Sequence, residues 1–335
     1  MFQIVCIGSS SKDIFFPTKD GQVLNTPEDI TAQKKMVFEL GAKYHVDNRF
    51  EALGGCAVNV ACGLRRLGVS STCYAALGRD NIGQWIESEL HKEKVGVDFV
   101  QKEDCLTGLS AIVVDENTGE RIIFSNQESN ERLKINPEEI KNFAWISVTD
   151  LSGNWQDALK IVENVFSENG VKISYNPRGR NITEDAQSVY DFAKKTEIFF
   201  VNKDEAIELV TLVNTEVKDN EKINDEIFLL DELKKAGAKV VVITDGTRGA
   251  WVSDGIDIFH AEVLEVEAVD STGAGDAFSS GFLAGYISDK NIEECLKMGI
   301  ANGANVVSYY GAIEGLLHDH NISQFSEKIK VKKIN

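Results

Sequence analysis

A doubly wound α/β fold with one mainly parallel central sheet is predicted by three features of the chain. Short apolar runs alternate with segments of helical periodicity, the rhythm of parallel βαβ units. Glycine-rich turns, Gly54-Gly55 and Gly273-Ala274-Gly275, lead from extended runs into helical ones. Two segments, 14–52 and 105–125, break the rhythm and read as β excursions that can pair into a small sheet covering a site. The expected architecture is one domain over 1–335 with that small β-sheet as a lid, undivided by repeats or low-complexity linkers.

The elements follow in order. Residues 3–8 form a buried strand, and Ser9 to Asp13 a polar turn at its C-terminal end, where open α/β sheets bind ligands. In the first excursion, Pro17, Gly21 and Pro27 punctuate the chain, and 38–46 and 49–53 read as short extended pieces. Val60, Leu64 and Leu67 recur at helical spacing after Gly54-Gly55, and Gly68 stops that helix. A strand over 71–77, a turn at Gly78-Arg79-Asp80-Asn81-Ile82-Gly83 and a helix near 84–92 come next. Asp115-Glu116-Asn117-Thr118-Gly119 is a hairpin turn between the two strands of the second excursion. Strands near 144–148, 171–175, 197–201 and 239–244 then alternate with helices over 155–167, 184–194, 203–213 and 225–236. The polar run 216–224 is a surface loop or helix end, and strands near 249–253, 256–260 and 261–267 lead to helices near 274–288 and 291–308.

Composition narrows the function. The 335 residues are 43% hydrophobic, enough for a large core, and carry a net charge of −18. That charge argues against nucleic-acid and anionic-membrane partners, both of which need basic surface. No apolar run approaches the roughly 20 residues of a membrane helix. Met1 to Gly8 lacks a basic leader and reads as the first strand, and six cysteines without a C-x-x-C fit reduced thiols, so a cytoplasmic protein is expected.

The chemistry concentrates at Asp270-Ser271-Thr272-Gly273-Ala274-Gly275-Asp276-Ala277-Phe278. The first N–H groups of a helix lack intrahelical acceptors and favour an anion. The N–H groups of Gly273, Ala274 and Gly275 thus form an anion hole. A carboxylate in the same turn, Asp276, would repel a resting phosphate unless it has a task, and taking the proton from a group that attacks phosphorus is such a task. A P-loop would need G-x-x-x-x-G-K-[ST], which is absent, and Phe278 stands where a dinucleotide fingerprint needs Gly or Ala.

This stretch resembles the second signature of the PfkB carbohydrate kinases, with their ribokinase-like three-layer αβα fold. Gly54-Gly55 with Asn59, Ala61, Leu64 and Leu67-Gly68 resembles the first signature. Gly78-x-Asp80-x-x-Gly83, Asn202-x-x-Glu205 and Thr244-Asp245-Gly246-x-x-Gly249 follow in the family's order, and the likeness runs from about residue 3 to Gly311-Ala312. It implies transfer of the ATP γ-phosphoryl group to a hydroxymethyl of a small sugar of the ribose, ketohexose or sugar-acid class, with Mg²⁺ and, as a further option, a monovalent cation such as K⁺. Asp276 becomes the catalytic base. Asn202 and Glu205 would order the Mg²⁺ shell and phosphates without a direct protein ligand being assigned, although the same pair makes a capping box. Thr244, Asp245, Gly246 and Gly249 resemble the nucleotide loop, or form an ordinary tight turn. The small residues Gly299, Ala301, Gly303 and Ala304 leave room for a purine or mark close helix packing, with Asn302 as an adenine neighbour. Asp13 would bind acceptor hydroxyls, with Gly54, Gly55 and Asn59 completing the pocket. The family's Asp near strand 171–175 is replaced by Asn176, which puts a metal role there in doubt, and Arg178 and Arg180 are solvated or touch phosphate.

Two rivals stay open. Phe16, Phe38, Tyr44 and Phe50 could stack on the base of a nucleoside acceptor or form lid core, and a nucleotide-binding regulator could keep the fold without turnover. Only Lys12 is basic beside Asp13, which favours an uncharged acceptor. The resemblance also allows a homodimer through the lid. His318-Asp319-His320 and the run Lys328–Lys333 read as a solvated loop and a solvated helix end.

Overall fold

The computed structural model describes residues 3–26, 34–217 and 221–334; Pro27 of the first excursion and the middle of the 216–224 loop lie outside them. Nine strands make the central sheet. Six run parallel in the order Ser71–Tyr74, Ile4–Ile7, Trp145–Val148, Lys172–Tyr175, Ile198–Asn202 and Val240–Thr244. Three antiparallel strands, Ala250–Ser253, Ile258–Ala261 and Val331–Ile334, extend one edge. The parallel strands are buried on both faces, as their unbroken apolar runs require. Separate hydrophobic clusters pack on the two faces, one around Phe278 and Phe282, the other around Tyr175 and Phe199.

Both excursions contribute to one four-stranded sheet, in the order Arg121–Asn126, Leu109–Asp115, Ser11–Thr18 and Phe50–Gly54. Its own small core is Phe15, Ala52, Ile112 and Val114. Asp80 ties the base of this sheet to the body. Its carboxylate caps the Asn81–Lys92 helix at Gly83 N (2.8 Å) and accepts from Thr107 N and Oγ1 at 2.9 and 2.6 Å.

Several expectations change. The polar turn at 9–13 is shorter: the Ser11–Thr18 strand begins within it, so Asp13 stands on a strand of the small sheet. Residues 38–46 carry no strand; Lys34–Val37 pairs with Gln22–Asn25 instead. The run 261–267 is not a strand beyond Ala261. The Ile258–Ala261 strand already has a neighbour on each side, because the C-terminal Val331–Ile334 takes the outer edge, so the alternating residues find no free ladder. Residues 331–333 of the Lys328–Lys333 run are therefore part of a sheet edge, with Lys332 on Glu262 (2.9 Å) and Lys333 on Asp257 (2.8 Å), while Lys328 follows the end of the Ile322–Ser326 helix. The helix expected from 184 begins at Gly179, and a break at Asp185 (φ −158°, ψ 75°) marks the expected start.

The stripe of small residues serves packing. A Cβ on Gly281 would lie 2.6 Å from Met298 O, and one on Gly299 2.9 Å from the Phe278 ring, so the Ala274–Ile287 and Ile292–Val306 helices meet at backbone distance. Asn302 is fully buried between them, which corrects its reading as an adenine neighbour. Its amide donates to Ala277 O (2.8 Å) and Ser280 Oγ (3.2 Å) and accepts from Leu317 N (2.8 Å), and it presents no surface to a ligand. Asn302→Ala strands those buried partners and should cost about 2–3 kcal/mol in urea unfolding.

Candidate active site

The candidate residues gather at the C-terminal ends of the parallel strands. Ser9 follows Ile4–Ile7, Asp150 follows Trp145–Val148, and Asn202 and Thr244 end their own strands as register partners.

The phosphate turn is shaped by Asp270, which is fully buried. One carboxylate oxygen accepts from Thr272 N (3.0 Å) and Oγ1 (2.7 Å), and the other from Gly311 N (3.0 Å). Gly273 takes the left-handed conformation that caps the Ala274–Ile287 helix (φ 76°), and a Cβ there would stand 2.2 Å from Ala312 Cβ. Gly275 is exposed, and a Cβ on it would meet nothing within 4 Å. One glycine makes the turn, and the other leaves its outer side open for a ligand.

Asp276 lies in the first turn of that helix and accepts from Asn59 Nδ2 at 2.8 Å. Burial pushes its carboxyl up to about 7; Asn59 works against this, and the charges of Asp150 and Asp13 add to it. Asn59 is itself buried, and its Oδ1 has no hydrogen-bond partner among the described residues, so it is free to accept from a bound hydroxyl.

Asp13 is buried, and Ser11 Oγ (2.8 Å) and the Ser110 hydroxyl hold it; burial raises its carboxyl. The two glycines of the first signature have separate steric reasons. A Cβ on Gly54 would lie 2.2 Å from Asp13 Oδ2, and Gly55, at φ 90°, would bring one to 2.5 Å from Ser10 Cα. Gly54 thus packs on Asp13 and Gly55 on Ser10, while Asn59 is the residue that joins Asp276.

Sequence reading missed four members of this group. Asp150 is raised by burial and held by Ser9, whose hydroxyl donates to it at 2.7 Å and accepts from Cys56 N at 3.0 Å. The Cys56 thiol, raised well above its usual range by burial and by Asp150 and Asp276, stays protonated. Arg121 reaches from the small sheet to Ser271 Oγ of the glycine-rich turn, with its Nε buried and unpartnered among the described residues. An acid two residues past an apolar strand, and an arginine opening an apolar one, were the available signals.

The second group lies along the neighbouring strands. Asn202 and Glu205 form the reciprocal cap of the Lys203–Val213 helix: Glu205 N donates to Asn202 Oδ1 (2.8 Å) and Asn202 N to Glu205 Oε2 (2.9 Å). Burial pushes the Glu205 carboxyl up to about 7, with Glu208 and Asp204 adding to the shift. One carboxylate oxygen of Asp245 holds the loop, with Arg248 Nε at 2.7 Å and Lys203 Nζ at 3.7 Å. Gly249 is sterically required, since a Cβ would lie 2.0 Å from Ala261 O, whereas one on Gly246 would meet open space. Arg178 donates to Ser152 Oγ (3.2 Å) and Arg180 pairs with Glu184 (2.5 Å).

The arrangement sets a carboxylate pushed up to about 7 in the first turn of a helix that a glycine-rich turn opens, beside the buried Asn59 and close to the charge of the buried Asp13. Three comparisons place the chain among known proteins. The model of the pfkB family carbohydrate kinases matches residues 4–319. An uncharacterized sugar kinase of Archaeoglobus fulgidus is 28% identical over 258 residues, covering 76% of this chain and 98% of the relative. The ATP-dependent 6-phosphofructokinase of Thermoanaerobacterium thermosaccharolyticum is 26% identical over 286 residues, covering 83% and 86%. Among solved structures, the Methanocaldococcus jannaschii nucleoside kinase, an archaeal member of the ribokinase family, superposes with a TM-score of 0.76 at 21% identity, covering 98% of this chain and 99% of that one. Among the described residues no helix is long and apolar enough to cross a membrane.

Proposed function

The chain belongs to the pfkB family of carbohydrate kinases, phosphotransferases with an alcohol group as acceptor, and from that premise we propose an ATP-dependent kinase of a small sugar, phosphorylated at a hydroxymethyl. The observation that carries the reading is Asp276 itself. It is partly buried, poised near neutrality, anchored by Asn59, and set in the first turn of the helix that the glycine-rich turn opens. Asp13 and the unpartnered Asn59 Oδ1 orient the acceptor hydroxyls. Asp276 takes the proton as the hydroxyl attacks, and the N–H groups of Gly273, Ala274 and Gly275 stabilise the charge that develops on the transferring group. Arg121 brings a cation from the small sheet to the same turn. That sheet acts as the lid, excluding water that would compete as acceptor.

Mg²⁺ fits the residues present. Glu205 Oε1 has no hydrogen-bond partner among the described residues, and its carboxyl lacks a neighbouring cation. A hard oxygen donor of this kind holds the ion through its waters. Bound there, Mg²⁺ would neutralise charge on the triphosphate.

A coupled ADP-release screen over pentoses, ketohexoses, sugar acids and nucleosides tests the reading. One sugar class should support turnover, and Asp13→Asn should raise its KM about 10-fold or more while leaving the KM for ATP near wild type. Nucleoside turnover alone would establish the rival acceptor class. Against it, Phe50 already stacks on Tyr310 (4.4 Å between ring centroids) and Phe38 packs on Tyr44 (5.2 Å). ATP binding with no ADP release from any acceptor would favour the regulator and overturn the kinase.

A further inference from the structure

Three consecutive residues touch the small sheet, the buried aspartate of the phosphate turn and the anion-hole glycine. Tyr310 stacks on Phe50 of the small sheet (4.4 Å between centroids, 16° between planes) and lies tilted to Phe15 at 6.2 Å. It is the partly buried apolar residue that packs against that sheet's core of Phe15, Ala52, Ile112 and Val114. Gly311 follows at φ 88°, where a Cβ would come within 2.7 Å of Ala52 Cβ, and its N–H donates to Asp270 Oδ2 at 3.0 Å. Ala312, fully buried, fills the space beside Gly273 that a Cβ on that glycine would need. No slack separates the contacts, since adjacent Cα atoms stand a fixed ~3.8 Å apart.

We propose that residues 310–312 are a strap that transmits the position of the small sheet to the phosphoryl-transfer turn, with Tyr310 as a positioning residue. The proposal rests on reading 271–276 as that turn. The physical reason is close packing: displacing Phe50 and Ala52 removes the support of Tyr310 and Gly311, and the chain passes the shift to the Gly311–Asp270 bond and the Ala312–Gly273 contact. Those two contacts hold Asp270 and Gly273, which set the direction of the anion-hole N–H groups. A strap of this kind aligns the anion hole when the sheet is seated over an acceptor and relaxes it otherwise.

Hydrogen exchange on the full chain, read on peptides covering 271–276 and 109–115, decides this for the wild type, Tyr310→Phe and Tyr310→Ala. Tyr310→Ala should lose protection in both segments, and Tyr310→Phe, which keeps the ring, should match wild type. Loosening of the small sheet with unchanged protection of the turn would overturn the strap. If Tyr310→Ala does not fold, Phe50→Ala removes the same stack from a half-exposed position, with the same two outcomes. In kinetics, Tyr310→Ala should lower kcat with acceptor about tenfold, roughly the size of one aromatic contact, and raise ADP release without acceptor relative to release with it. A proportional fall in both rates would mark a merely structural loss and count against the strap. Should the wild type phosphorylate no acceptor, the kinase reading fails, while the exchange comparison still decides the strap.

Discussion

Asp276→Asn should abolish acceptor-dependent ADP release, lowering kcat by about 10²–10⁴-fold, the usual worth of a positioned base. Nucleotide binding, followed by calorimetry, should persist, because the anion-hole donors are backbone groups. The wild-type carboxyl, pushed up to about 7, must be deprotonated to act, so kcat/KM should rise with pH through about 7 and level off above it. The same shift has a stability consequence of opposite sense. The folded protein binds the Asp276 proton more tightly than the unfolded chain does, so this group's contribution is fully present below the ordinary aspartate range and is lost as pH rises through 7. Asp276→Asn should therefore melt higher than wild type at pH 8, and the gap should close as the pH falls to 4. Near-normal turnover in the variant would remove Asp276 from the chemistry.

Gly273→Ala and Gly275→Ala should separate the structural glycine of the turn from the functional one. At Gly273 the backbone is left-handed (φ 76°) and the new methyl would run into Ala312 at 2.2 Å, so the turn must shift. That variant should lose both thermal stability and activity, the latter by about 10²–10³-fold, as when an oxyanion-hole donor is lost. A methyl on Gly275 meets only open space, so Gly275→Ala should keep its melting temperature and lose turnover because the methyl occupies the space a phosphate needs. Equal turnover in Gly275→Ala and wild type would show that no phosphate passes that side of the helix.

Much of the fold was legible because its signals are local. Gly54-Gly55 before Val60, Leu64 and Leu67, or Asn202 with Glu205 at capping distance, announce a strand-to-helix turn within a dozen residues. Two of the mistakes share one physical origin, a segment whose partner is remote. The alternation of 261–267 is a strand pattern, yet its edge is taken by Val331–Ile334 from the chain's end. Asn302 sits in a small-residue stripe that suits a purine and a helix contact equally well, and only the neighbouring helix and Leu317 decide for packing.

The order of strands and helices, and a glycine-rich helix-entry turn carrying a carboxylate, are written in contiguous residues and need no third dimension to be read. The working state of that carboxylate is not. Asn59 lies 217 positions from Asp276, Ser9 lies 141 from Asp150, and Arg121 lies 150 from Ser271. Parallel strands bring their C-terminal ends side by side whatever their separation in the chain, and desolvation acts through space. Which carboxylates meet, how far burial moves them toward neutrality, and which ring of the small sheet stacks on Tyr310 were therefore decided by tertiary structure alone.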